Sequence, residues 1–269
     1  MSEQARVLTT FDADRQVAHV QLNRPEKRNG LDLAMFEGLI AAGEALRARA
    51  DVRAVVLSGV GPSFSAGLDF VSFMASGPET MQRLLERPDG RLDNMAQRIA
   101  WVWTEVPAPV IAAVQGHAYG GGLQLALAAD IRLVAPDAKL SVMEIKWGLI
   151  PDMTISRTLA QLVRPDVAKE LTWTGRVFDG HEALRLGLAT RLTEDPVAAA
   201  LELAGQIAEK SPTAIRNGKR LYNALPDLDA RAALALETSL QLELLGSANQ
   251  VEAVQANFER RPAKYRDPE

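Results

Sequence analysis

Two stretches of this chain share one layout, and that layout narrows the fold more than any other feature. In "RAVVLSGVGPSFSAGLD" (Arg53–Asp69) and "PVIAAVQGHAYGGGLQLALAAD" (Pro109–Asp130), a short apolar run ends in a glycine-bearing loop. Such a run, bounded by turn residues, reads as a buried strand. The second loop passes directly into a helix-like segment, "LQLALAAD". A helix start exposes unpaired N–H groups and a partial positive charge, and glycine lets a ligand approach the main chain closely. Gly120, Gly121 and Gly122 therefore offer donors to an anion or a developing oxyanion, although close helix–strand packing explains three glycines equally well. Two such loops, each with a small residue beside glycine, can aim two N–H groups at one oxygen. That arrangement stabilises an enolate or a tetrahedral oxyanion.

The rest of the chain alternates in the same manner. "QVAHVQL" (residues 16–22) reads as a strand, "NRPEKRNGL" as a turn, and "LAMFEGLIAAGEALRARA" as a helix N-capped by Asp32. Residues 74–92 lack a clean period and predict a mobile segment over the core. "NMAQRIAWVWTEV" is amphipathic, and its Met95, Trp101 and Trp103 suit either core packing or a ligand-pocket wall. "DIRLVAP" and "AKLSVMEI" read as two further strands, and from Pro165 onward helical patterns dominate. Alternating strands and helices followed by an all-helical end predict an α/β core with a helical appendage, divided as residues 1–200 and 201–269.

Composition removes several function classes. Of 269 residues, 47% are hydrophobic and 24% charged, with a formal charge of −4 that gives no general basis for nucleic-acid binding. There is no cysteine, and the three histidines are far apart, so neither thiolate chemistry nor a zinc site is expected. The N-terminus lacks a signal-peptide layout, and the longest apolar run, "VPAPVIAAV", is too short and proline-rich to span a bilayer. A cytoplasmic protein without membrane attachment is the expectation.

Taken together and in order, "NRPEKRNGL", "FSAGLDF", "PVIAAVQGHAYGGGLQLALAADIRL" and "LSVMEIKWGLIPD" resemble the crotonase superfamily, the enoyl-CoA hydratase/isomerase family, over about residues 5–265. The resemblance implies a spiral of ββα units followed by a C-terminal helical trimerisation region, assembled as a homotrimer or a dimer of trimers. It implies an acyl-CoA thioester substrate and no cofactor, coenzyme A being part of the substrate, and no metal. It places the oxyanion donors at Ala66 and Gly121, beside Gly120. It assigns coenzyme A contacts to Ala66, Gly67, Leu68 and Asp69, and to the turn at Lys27 and Arg28. Arg260 aligns with a cation that reaches coenzyme A from a neighbouring subunit.

Within that family the acid–base residues decide the reaction. Similar hydratases carry two glutamates 20 residues apart; here the later position is Glu144, but the earlier one is Gln124. An amide has no proton to exchange near neutral pH and can only bind water or substrate. Asp152, 8 residues after Glu144, matches the Glu–Asp spacing of members that move double bonds in dienoyl-CoAs, which also carry a third acid at the Gln124 position. Double-bond isomerisation through Glu144 and Asp152 is therefore the favoured expectation. Hydration of a 2-enoyl-CoA and a catalytically silent acyl-CoA-binding protein are the alternatives. Outside the family frame, Glu144 reads as an exposed strand end and Asp152 as a turn cap. His117 suits packing beneath the glycine loop, and Ser65 lacks the His–Asp pair of a serine hydrolase.

Overall fold

A computed structural model describes residues 5–268. The chain opens with the antiparallel pair β1 (Val7–Asp12) and β2 (Val17–Leu22), then α1 (Leu33–Arg47) and β3 (Ala54–Gly59). Three helices follow: α2 (Phe70–Ala75), α3 (Pro78–Leu85) and α4 (Met95–Glu105). Next come β4 (Val110–Val114), β5 (His117–Tyr119), α5 (Gly121–Leu127), β6 (Ile131–Val134) and β7 (Lys139–Ser141). The second half contains α6 (Ile155–Leu162), α7 (Pro165–Thr174), β8 (Phe178–Asp179), α8 (Gly180–Leu186), β9 (Arg191–Leu192) and α9 (Pro196–Ala208). It closes with α10 (Pro212–Ala224), α11 (Ala230–Leu244) and α12 (Ala248–Glu259).

The strands form a six-stranded sheet in the order β1-β2-β3-β4-β6-β9, parallel except at the first pair, and a small sheet ordered β5-β7-β8. Central parallel strands are covered on both faces, which is why β3 and β4 are buried at every residue rather than alternating. Val55 and Leu57 face the main core with Phe36, Phe64 and Trp103, while Ala54 and Val56 face Ala200, Ala204 and Ala208 of α9. Alanine every fourth residue gives α9 a flat stripe that can lie close on the sheet.

Residues 74–92, expected to form a mobile segment over the core, include α3 and the end of α2. Their turns are anchored through the buried side chains of Phe73 and Leu84. The C-terminal helices are tied to the core by Lys219, whose Nζ lies 2.7 Å from Asp130 and donates to the carbonyls of Trp103 and Ala108. α11 with its C-cap Leu245, and α12, leave Leu234, Leu242, Leu245, Val251 and Phe258 exposed, Phe258 to 85%. Among the described residues no helix is long and apolar enough to cross a membrane, and no cluster of metal-ligating side chains occurs.

Candidate active site

The "FSAGLD" segment is laced between two others by main-chain bonds. Ser65 pairs with Ala118 in a parallel bridge, with Ser65 N–H donating to His117 O and Tyr119 N–H to Ser65 O. Leu68 pairs with Leu31, through Leu31 N–H to Gly67 O (2.8 Å) and Asp69 N–H to Leu31 O (3.0 Å). In that register the N–H of Leu68 lies outside the ladder. Gly121 is the first residue of α5, where an N–H has no intrahelical acceptor. Among the described residues, neither the Leu68 nor the Gly121 N–H has a hydrogen-bond acceptor.

Gly67 brings the two loops together. It sits at φ +85°, and a Cβ there would lie 2.5 Å from Tyr119 O and 3.7 Å from the nitrogen of Gly121. Only glycine fits so near another main chain in that conformation. The expected pairing of Ala66 with Gly121 requires correction, because the N–H of Ala66 donates to Arg28 O at 2.8 Å. The free donor beside Gly121 is Leu68, two residues further on. A bond to a residue distant in sequence is invisible to a motif.

Glu144 opens a 3-10 turn, Glu144–Trp147, just past β7, rather than ending a strand. Its carboxylate reaches the glycine loop because Gly120 has no side chain: a Cβ there would stand 3.1 Å from Glu144 Oε1. Gln124, buried to 1% exposure, donates from Nε2 to Glu144 Oε1 at 2.6 Å and accepts from Met153 N–H at 2.8 Å through Oε1. The amide is thereby a strut between Met153 and the carboxylate. Glu144 Oε2 is buried and, among the described residues, has no hydrogen-bond partner. Burial raises the Glu144 pKa and the Asp152 charge adds to this, outweighing the bonds from Gln124 and the backbone. Asp152 lies at the lip of a cavity of ≈ 610 Å³ with one side open to solvent, and partial burial raises its pKa too.

Other expected residues divide clearly. Lys27 and Arg28 are exposed at a 3-10 turn, and Arg28 carries the carbonyl that holds Ala66. The Asp69 carboxylate is used internally: it accepts from Ser72 N–H and Oγ–H and pairs with Arg24 at 2.7 Å. Burial works against its charge, but the bonds from Ser72 and Arg24 hold its pKa at about 2. Arg260 caps α12 in the left-handed conformation and is exposed. His117 lies 2.9 Å from Ser63 Oγ, and Ser65 Oγ–H donates to Asn29 O, so both brace the loop. Trp103 is core, whereas Trp101 lines the cavity. The Met153 N–H that holds Gln124 had no sequence signal, since any residue supplies one.

The site therefore combines two main-chain donors without acceptors among the described residues, a buried carboxylate against the glycine loop, and Asp152 on the wall of a cavity. The sequence model described as Enoyl-CoA hydratase/isomerase matches residues 12–268. The mitochondrial Delta(3,5)-Delta(2,4)-dienoyl-CoA isomerase of Mus musculus is 35% identical over 94% of this chain and 79% of its own length. The mitochondrial methylglutaconyl-CoA hydratase of the same organism is 28% identical over 98% and 84%. The crystal structure of an enoyl-CoA hydratase from Bacillus anthracis superposes with a TM-score of 0.89 at 29% identity, covering 97% of this chain and 98% of that one. With the crotonase fold and the family's motifs both in place along nearly the full length, this chain belongs to the enoyl-CoA hydratase/isomerase family.

Proposed function

We propose that this protein moves a carbon–carbon double bond in an unsaturated acyl-CoA thioester. The observation that carries this reading is the state of Glu144: one oxygen tied to Gln124, the other buried and free, with a second carboxylate nearby. The thioester oxygen would accept from the N–H groups of Leu68 and Gly121. Glu144 Oε2 removes a proton from the carbon next to the carbonyl, and the C–H electrons delocalise toward that oxygen as an enolate. Reprotonation at a carbon further along the chain, by Glu144 or by Asp152, completes the shift with no atom gained or lost. A carboxyl whose pKa is raised suits that proton return. A 3,5-dienoyl-CoA, the substrate named for the murine isomerase, is the first compound to assay. No cofactor enters this chemistry beyond the coenzyme A of the substrate, which Lys27 and Arg28 would meet at its phosphates. A second copy covering the apolar face of α11 and α12 would bring Arg260 to a neighbouring site.

Hydration is the less favoured reading, because Gln124, braced between Glu144 and Met153 where a second acid would act, has no proton to exchange. The test offers purified protein a 2-enoyl-, a 3-enoyl- and a 3,5-dienoyl-CoA and follows absorbance and product mass. Unchanged mass with shifted absorbance supports isomerisation. A gain of one water from the 2-enoyl thioester, with the other two untouched, overturns it.

A pH profile adds an independent check. Glu144 must be ionised to act, so kcat/KM should rise with pH on an acid limb above the ordinary glutamate value of about 4.3. The Asp152 charge is one cause of the raised pKa. Asp152→Asn is therefore expected to move that limb to lower pH, whatever rate remains. A limb that stays in place removes Asp152 from the site's electrostatics.

A further inference from the structure

Arg24 belongs to the "NRPEKRNGL" turn, yet its side chain is buried to 9% exposure. Its Nη1 donates to Asp69 Oδ2 at 2.7 Å and to Gly30 O at 3.1 Å, and lies 3.5 Å from Asp32 Oδ2. The two carboxylates hold matching places. Asp32 caps α1 and Asp69 caps α2, accepting from the N–H groups of Met35 and Ser72. The residues just before these caps, Leu31 and Leu68, form the bridge that leaves the Leu68 N–H without an acceptor among the described residues. One guanidinium nitrogen is thus bonded on both sides of that bridge. The space around it is filled: a Cβ on Gly30 would stand 3.7 Å from Arg24 Nη1 and equally far from the Asp69 Cβ. A buried ion pair seldom stabilises a fold more than apolar packing of the same volume would. Its merit here is the position it fixes.

We propose that Arg24 is a positioning residue of the oxyanion site: by holding Asp69 against Gly30 it sets where the Leu68 N–H points relative to that of Gly121. The inference rests on those two N–H groups acting on a thioester oxygen, and it adds the group that fixes their geometry. Oxyanion donors act through preorganised aim, and a displacement of about 1 Å can lower a rate a hundredfold. Asp69 is covalently joined to Leu68, so a shift of the capping carboxylate is passed directly to the donor.

A saturated acyl-CoA with an isotope-labelled thioester carbonyl binds without reacting, and difference infrared spectroscopy reads its C=O stretch. Two donors on that oxygen polarise the bond and lower the stretch below its value in solution. Arg24→Met should return the stretch toward the solution value and lower kcat by about tenfold to a hundredfold, with thioester affinity changed by less than about threefold. Arg24→Lys, which keeps a charged donor on a more mobile stem, should recover part of both. A merely structural role would lower the melting temperature and leave the stretch in place. A folded Arg24→Met variant with the wild-type stretch therefore overturns the positioning role, whatever its stability. If Arg24→Met does not fold, Asp69→Asn, which keeps an oxygen to cap α2 but loses the charge, is read by the same criteria. A wild-type stretch equal to that in solution, or failure of the wild type to bind any thioester, overturns the oxyanion site itself, and this inference with it.

Discussion

Glu144→Gln is expected to lower kcat by roughly a thousandfold or more while changing thioester affinity by less than about threefold. The substitution keeps shape and volume. A glutamine can still present a carbonyl oxygen to the Nε2 of Gln124, so the strut from Met153 survives. What disappears is the basic lone pair at the buried Oε2 position. Turnover within tenfold of wild type would remove Glu144 from the chemistry. The same variant has a second, opposite signature. Burial raises the folded-state pKa of Glu144, so the folded protein binds that proton more tightly than the unfolded chain does. Wild-type stability from this group is thus present at low pH and lost as pH rises through the folded pKa. A neutral amide avoids the loss, so Glu144→Gln should melt higher than wild type at pH 7, the gap closing below about pH 4. Lower activity with higher stability is the pattern of a residue kept for function.

Gly67→Ala is expected to lower kcat by about a hundredfold to a thousandfold, the usual effect of losing an oxyanion donor, and to destabilise the fold by about 2 kcal/mol or more. An added methyl meets Tyr119 O at 2.5 Å, and both partners are main chain, so neither can turn aside. The loops must separate, which moves Leu68 N–H away from Gly121 N–H. Gly90→Ala is the matching control. Gly90 has a similar φ of +76°, but nothing stands within 4 Å of an added Cβ. It should share part of the stability loss and leave turnover intact. Near wild-type turnover for Gly67→Ala would mean that these two N–H groups do not act on a common atom.

Several elements were readable because their signals are local. β3, β4 and the helices α1, α4 and α9 follow from apolar runs and helical spacing, and their ends fall close to the expected ones. β1 was not, because an edge strand with the burial pattern of VLTTFD carries little apolar alternation. α6 and α12 were also unread; each has only two buried side chains. At the site, Glu144, Gly120 and Gly121 were identified from the resemblance, and the structure sets them side by side.

Sequence by itself determined the buried strands, the glycine loops and the replacement of a second acid by Gln124, since these depend on residue type and short spacing. Tertiary structure decided which donors are free. Arg28 occupies the N–H of Ala66 and leaves that of Leu68, and Met153 and Glu144 together turn Gln124 from a candidate water-binding group into a strut. Hydrogen-bonding capacity belongs to each residue, but its availability is settled by neighbours that only the folded chain brings within 3 Å.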